Sequence, residues 1–251
     1  MSYINNLPIL SINVPKIAFR EAPAVRISAP AYQNADSFVT NPIEQQYSGI
    51  KEIELLARSN PEITRILHEN GIPLKVNIIA LEDLRLGHLK NARINVAKIY
   101  SSLPQELKSK VNMSNIQQAA MLHDIGKVLI PENILNKQGK LTEDEKKVME
   151  THSELSYELL KNSGLNKDVL NLIKYHHQNP TASGYPAAGK DFSYNLELDI
   201  LRAADEYTAL REERPYKPAL SKQEALSIVE EDVQKGYILP EVYQALEKSA
   251  S

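Results

Sequence analysis

Six histidines stand out in a chain without cysteine: His68, His88, His123, His152, His176 and His177. Neutral imidazole and carboxylate are ligands for Mn, Fe, Zn, Ni or Co, so their helical positions matter more than their number. An α-helix turns about 100° per residue, and residues at i, i+3, i+4 and i+7 share a face. Ile116, Ala119, Ala120 and His123 form one such stripe. Val148, His152, Leu155 and Leu159 form another, as do Val169, Ile173 and His176, with His177 beside them. Leu81, Leu84, His88 and Ala92 line up earlier, and Leu201, Ala204, Asp205 and Thr208 later. Five helices thus each turn a His or Asp inward, and burying so many titratable groups is costly unless they pair or bind metal. Asp124 follows His123 directly, and a carboxylate can bridge two metals placed about 3.5–4 Å apart. A single inward histidine is usually an ordinary core residue. That reading is kept for His68, which lies near a helix end outside the pattern.

The elements that must carry these groups are helical. Asn60-Pro61-Glu62 reads as a helix start, and Gly71 with Pro73 as a stop. A long helix is predicted from about Lys75 to Ser101, and one capped by Ser114 that runs to Gly126. Thr142 with Glu145 forms a capping box for a helix ending near Gly164. Further helices are predicted from Asn166 to about Gln178 and over 194–211, 221–235 and 240–249. No stretch alternates convincingly, so the expected fold class is all-α. Five of the fourteen prolines fall at Pro8, Pro15, Pro23, Pro30 and Pro42, which marks residues 1–42 as an extended or disordered arm. Residues 43–76 are expected to form a small helical segment, a cap or dimer surface, because Ile50, Ile53, Leu56 and Ala57 show apolar spacing without chemistry.

Bulk composition narrows the function. At 251 residues, 42% hydrophobic and 24% charged, the chain can bury a core. A net charge of −3 gives no general basic surface for long nucleic acid. The absence of cysteine removes disulfides, thiolate ligands and cysteine nucleophiles, and fits a cytoplasmic protein. No apolar run of about 18 residues suggests a membrane span, and the N-terminus lacks the pattern of a signal peptide. Neither common Gly-rich phosphate loop is present.

The string His123-Asp124-Ile125-Gly126-Lys127 resembles the HD motif of metal-dependent phosphohydrolases. The later run from His176 through Gln178 and Gly184-Tyr185-Pro186 is similar to the second signature of the HD-GYP family. The loop from Pro131 to Thr142, then Asp205-Glu206-Tyr207 and Arg214-Pro215-Tyr216-Lys217, match that family in order and spacing. The resemblance spans about residues 77–250, so residues 77–251 are read as an HD-domain helical bundle with additional C-terminal helices of the HD-GYP type.

The resemblance implies a cytoplasmic phosphodiesterase that hydrolyses cyclic di-GMP to the linear dinucleotide, to GMP, or to both, by a hydroxide bridging two metals. By position it makes His88, His123, Asp124, His152, His176, His177 and Asp205 the metal ligands, with Asp124 bridging. Two divalent ions are expected, iron or manganese first, with Zn, Ni and Co also compatible. Lys127 would act beside Asp124. Lys127, Tyr185, Arg214 and Lys217 would meet the substrate, although a solvated face is the plainer reading for Lys127, Arg214 and Lys217. For Tyr185 two readings stand: a ring packed in a turn, or a platform for guanine. The expected partner is a small cyclic dinucleotide, and a homodimer or a signalling protein is compatible. The other readings are a catalytically impaired metal-bearing module that binds nucleotide or protein, and a phosphohydrolase acting on another nucleotide.

The chain departs from the family pattern at particular positions. Gln178 stands where Glu is usual, Thr181-Ala182 where Asp-Gly is usual, Thr208 where Asp is usual and Ser156 where Gly is common. Gln178 and Thr208 would each remove an acid that orients ligands, a loss typically worth about 10–100-fold. Three-metal members carry a Glu where this chain has Leu84, which predicts two metals rather than three.

Overall fold

The computed structural model describes residues 42–80, 87–213 and 218–250. Among them the chain is helical and contains no strand; its one isolated β-bridge joins His177 to Tyr185. Helix α1 runs Pro42–Ser59 and α2 Pro61–Glu69. After them come α3 His88–Ser102, α4 Gln105–Lys108 and α5 Met113–Ala120. A 3₁₀ turn covers Ile125–Leu129, and α6 covers Glu132–Leu135. Then come α7 Glu143–Leu160, α8 Lys167–Tyr175 and α9 Leu196–Arg211. Helices α10, Lys222–Gln234, and α11, Pro240–Ser249, close the described chain. The expected arm over 1–42 lies outside the described residues apart from Pro42, which opens α1.

Local chemistry sets most boundaries. Asn60 caps α2 by accepting from the amides of Glu62 and Ile63, with Pro61 in the first turn. Thr142 and Glu145 form the expected box at the start of α7, and Ser221 with Glu224 repeats it on α10.

Three boundaries differ from the sequence reading. The cap of α5 is Asn112, whose Oδ1 accepts from the amides of Ser114 and Asn115 at 3.1 and 3.3 Å. Ser114 therefore lies inside the first turn. That helix stops at Ala120, six residues short of Gly126. The chain must turn there because Gly126 is pressed on α7: a Cβ would lie 2.1 Å from the His152 carbonyl oxygen. The long helix predicted from about Lys75 begins a little later: residues 72–77 are irregular, 78–80 are helical, 81–86 lie outside the described residues, and α3 is described from His88. Asn77 explains the break, since its amide donates to the Val128 carbonyl at 2.7 Å and its side chain to the Ile130 carbonyl at 3.1 Å.

The predicted inner stripes pack together. Helix α3 lies against α5, α9 and α11, and α7 lies against the 3₁₀ turn, α8 and α2. Ile116, Ala119, Leu155, Val169, Ile173, Leu201 and Ala204 are all buried in one apolar core. Ala57, Ile63, Ile66 and Leu67 from the first two helices join the same core, with Ile50, Ile53 and Leu56 packed against it. Asn60 adds a polar tie. Its Nδ2 donates to the Glu158 backbone oxygen at 3.2 Å and to Glu158 Oε2 at 3.0 Å, within a buried contact on α7.

Asn60→Ala removes a helix cap and the two buried hydrogen bonds to Glu158, whose Oε2 keeps Lys161, so it should destabilise the protein by about 1–3 kcal/mol in denaturant titration. A change below about 0.5 kcal/mol would show that α2 is held by apolar packing alone.

Candidate metal centre

His123 and Asp124 are adjacent, and on a helix their side chains would diverge by about 100°. The turn after α5 resolves this. Its chain reverses over 121–124, with the amides of His123 and Ile125 donating to Ala119 and Leu122. Both side chains point inward and are buried. His176 ends α8 in helical conformation, while His177 bridges backbone to backbone with Tyr185. His152 comes from the middle of α7, His88 from the first turn of α3 and Asp205 from α9.

All seven expected ligands meet, in two groups that share one residue. His88, His123, Asp124 and Asp205 form the first, and Asp124, His152, His176 and His177 the second. In the first, Asp205 Oδ1 lies 2.8 Å from His88 Nε2 and 3.3 Å from His123 Nε2. Asp124 Oδ2 lies 3.6 Å from both of those nitrogens. In the second, Asp124 Oδ1 lies 3.2 Å from His152 Nε2 and 3.8 Å from His176 Nε2. Each oxygen of Asp124 thus faces a different group. His68 is exposed on α2 and belongs to neither.

The proton positions fit cation binding. Nδ1 of His123, His152 and His176 lies 3.1, 2.7 and 2.7 Å from the backbone oxygens of Ala120, Met149 and Ile173. A carbonyl only accepts, so each Nδ1 carries the hydrogen and each Nε2 is the nitrogen turned to the centre, where a metal ion would take its lone pair. His152 Nε2 then stands 3.3 Å from His176 Nε2 and 3.2 Å from His177 Nε2. Two facing lone pairs repel, whereas two nitrogens each about 2.1 Å from one ion stand roughly 3.0–3.4 Å apart. Among the described residues, His123 Nε2 and Asp124 Oδ1 are buried without a hydrogen-bond partner, a costly arrangement if nothing else fills the space. The His/Asp cluster is consistent with divalent metal binding.

Electrostatics sorts the same groups. Burial raises the carboxyls of Asp124 and Asp205, but their neighbours outweigh it and hold both well below the usual range; Lys127 and His123 act on Asp124, and His123 and His88 on Asp205. Burial, joined by neighbouring imidazoles, holds His176 and His177 well below their usual value and therefore neutral. Burial works against charge on His88, yet hydrogen bonds to Asp205 and Glu212 push it up to about 9.

The surrounding residues are placed as follows. Lys127 Nζ sits 2.5 Å from Asp124 Oδ2, on the side of the first group. The Tyr185 ring stacks on His177, with centroids 4.5 Å apart at 28°, and meets His152 edge-on at 6.0 Å. One face of that ring is therefore already used in packing. Arg214, Lys217 and Leu84 lie outside the described residues.

The departures from the family pattern have definite surroundings. Gln178 points into the loop rather than at the histidines. Its Nε2 donates to the Pro186 carbonyl at 2.5 Å and its Oε1 accepts from the Gly184 amide at 3.1 Å. An ionised Glu could not make the first bond, so the amide serves as a neutral staple. Gly184 is required beside it, since a Cβ would lie 2.1 Å from the His177 carbonyl oxygen. Ala182 takes φ +56°, the left-handed conformation that glycine adopts without strain. Thr208 donates to the Ala204 carbonyl at 2.6 Å and accepts from Asn95 Nδ2 at 2.8 Å. Ser156 Oγ accepts from the Gly126 amide and donates to the His152 carbonyl, both at 2.8 Å. The sequence reading gave no part to Glu212, whose Oε2 lies 2.8 Å from His88 Nδ1. No spacing rule links residues 124 positions apart.

Comparison with known proteins gives the class. The family model for the HD domain matches residues 73–242, and the chain belongs to that family. Among curated relatives, the cyclic di-GMP phosphodiesterase response regulator RpfG of Xanthomonas campestris pv. campestris is 42% identical over 115 residues, covering 45% of this chain and 30% of that protein. The 3'3'-cGAMP-specific phosphodiesterase 3 of Vibrio cholerae serotype O1 is 34% identical over 134 residues, covering 53% of this chain and 29% of that protein. This chain therefore aligns with less than a third of either relative's length. A solved HDG"Y"P protein from Bdellovibrio bacteriovorus superposes with a TM-score of 0.51 at 15% identity, over 64% of this chain and 50% of that one, and supports the helical fold. Among the described residues, no helix is long and apolar enough to cross a membrane.

Two outcomes test this description. Ala182→Gly should raise stability by about 1 kcal/mol by relieving the left-handed alanine, as read by denaturant midpoint; a loss of stability would place the loop in another conformation. The second concerns His88, whose folded pKa is raised from 6.5 to about 9. In chelator-treated protein its stabilisation is complete below about pH 6.5 and lost as pH rises through about 9. The stability advantage of the wild type over His88→Gln should narrow across that range; an advantage constant with pH would remove the ion pairs from the account.

Proposed function

We propose that this chain is a metal-dependent phosphodiesterase that opens a cyclic dinucleotide, cyclic di-GMP first, to the linear dinucleotide, to GMP, or to both. The observation that carries the reading is the pair of ligand groups sharing Asp124 in a chain of the HD domain family. The names of the relatives supply the substrate class, and one of them is named for 3'3'-cGAMP.

His88, His123, Asp124 and Asp205 would hold one divalent ion, and Asp124, His152, His176 and His177 a second. Iron or manganese suits this set of nitrogen and oxygen donors, and Zn, Ni and Co remain compatible. When bound, such a pair supplies a hydroxide at neutral pH and positive charge for phosphate oxygens. The protein's own groups do the rest. Asp124 would keep the two ions at a fixed separation, one carboxylate oxygen toward each. Lys127, beside Asp124 Oδ2, places a point charge at the edge of the first group, where a phosphate would enter. Tyr185 would border the base through the ring face not stacked on His177. Arg214 and Lys217 are proposed as phosphate contacts, a two-pronged clamp and a point charge respectively.

The domain plan is part of the proposal: residues 77–251 form the phosphodiesterase unit, and 43–76 a helical segment seated on α7 that a homodimer partner or signalling protein could address.

Protein purified without oxygen and loaded with manganese or iron should convert cyclic di-GMP to linear dinucleotide or GMP, resolved by chromatography. Asp124→Ala should lower the rate by more than about 100-fold, beyond the usual effect of losing an outer-sphere partner. If metal-loaded protein leaves cyclic di-GMP intact but cleaves 3'3'-cGAMP, the class stands and the first substrate changes. If both remain intact while nucleotide still binds, the impaired signalling module replaces the enzyme.

A further inference from the structure

The histidines of the cluster are not all oriented by the same device. His123, His152 and His176 each have Nδ1 against the backbone carbonyl three residues earlier, a partner supplied by their own turn. His88 sits in the first turn of its helix and uses a distant side chain instead. Glu212 Oε2 lies 2.8 Å from His88 Nδ1, while Glu212 Oε1 accepts from Asn91 Nδ2 at 2.8 Å. Asn91 lies three residues beyond His88 on α3, and Glu212 directly follows Arg211, the last residue of α9. On the far side of the same ring, His88 Nε2 faces Asp205 at 2.8 Å. Glu212 therefore does not join the ligand group; it grips the ring from behind.

We propose that Glu212 is a positioning residue for the first ligand group: it holds the Nδ1 hydrogen of His88, turns Nε2 toward Asp205 and Asp124, and makes cation occupancy of that group depend on it. The inference rests on the two-metal reading above. A carboxylate behind a metal-bound imidazole fixes its tautomer and strengthens it as a ligand, and removing such a partner typically weakens metal binding by about 10–100-fold. The dependence is selective, because the rings of His152 and His176 are set by backbone oxygens that no side-chain substitution removes.

The test is metal content and affinity, read independently of turnover. Wild type, Glu212→Ala, Glu212→Gln and Asn91→Ala are stripped with chelator, titrated with manganese, desalted and analysed by mass spectrometry for ions per chain. Circular dichroism and thermal melting of the stripped proteins report folding. The wild type should retain two ions. Glu212→Ala should retain about one, with the weaker of two affinities lowered about 10–100-fold and the other unchanged. Glu212→Gln keeps an acceptor for Nδ1 and should recover part of the loss, and Asn91→Ala should give a smaller loss of the same kind. If Glu212→Ala does not fold, Glu212→Gln and Asn91→Ala decide by that same selective loss. Two ions held at wild-type affinity in the variants, or equal weakening of both groups, would overturn the inference while leaving the two-metal reading intact. A wild type that takes up no metal would instead overturn that reading, and this inference with it.

Discussion

A buried carboxylate with different neighbours on its two oxygens is the constraint around which this protein is arranged. Asp124 lies at the centre of the fold, with one oxygen toward His88 and His123 and the other toward His152 and His176. An isolated buried charge is expensive, so Asp124 has to be offset by the groups around it. Lys127 and the neighbouring His123 and His152 offset that charge. The surrounding helices follow from this need. Asp124 can face two ways only if α5 ends early, and the turn that ends it can seat against α7 only because residue 126 has no side chain.

The fold was legible in the sequence wherever its signals were local or periodic. The stripes that hold His123, His152, His176 and Asp205 face the core as the 3.6-residue period required, with Val148 only partly buried, and Asn60 and Thr142 sit at helix starts. What the sequence did not reveal depends on tertiary contact. Asn112 and Ser114 are both good caps by residue type, and the geometry of the entering chain selects Asn112. The helix expected from about Lys75 starts only at 78, because Asn77 is drawn out to pair with Val128 and Ile130, more than 50 residues away. Glu212 had no periodic relation to His88 at all. The seven expected ligands were readable because each lies on a periodic stripe or beside a residue that does, and those stripes meet.

The two ligand groups are built from contacts of different range. In the second, His176 and His177 are neighbours in sequence, and the rings of His152 and His176 are oriented by carbonyls within their own turns. Those ring orientations are local, although the group still needs α7 and α8 docked beside the turn that carries Asp124. The first draws on the start of α3, the turn after α5 and the length of α9, and its outer ring is oriented by the residue beyond α9. It can form only once α3 has docked on α9. Docking of these helices therefore completes the first group, while in the second the ring orientations of His152 and His176 are set within single turns.

This difference bears on how the departures from the family pattern should be read. A lost acid next to a metal site suggests a decaying centre when only the sequence is seen. Here the replacements are satisfied by neutral partners. Gln178 uses its amide hydrogen on the Pro186 carbonyl, a bond that an ionised Glu could not make. Thr208 returns its hydroxyl hydrogen to its own helix and meets Asn95 with its oxygen. Ser156 joins the turn of His123 and Asp124 to the carbonyl of His152. None of these contacts takes an Nε2 or a carboxylate oxygen away from the two groups, and the Ser156 contact ties the turn of one group to a ligand-bearing turn of the other. Decay would be expected to leave unsatisfied polar groups or gaps at such positions. Gln178, Thr208 and Ser156 are each hydrogen-bonded where they stand, and both groups of His and Asp keep their full set of residues beside them.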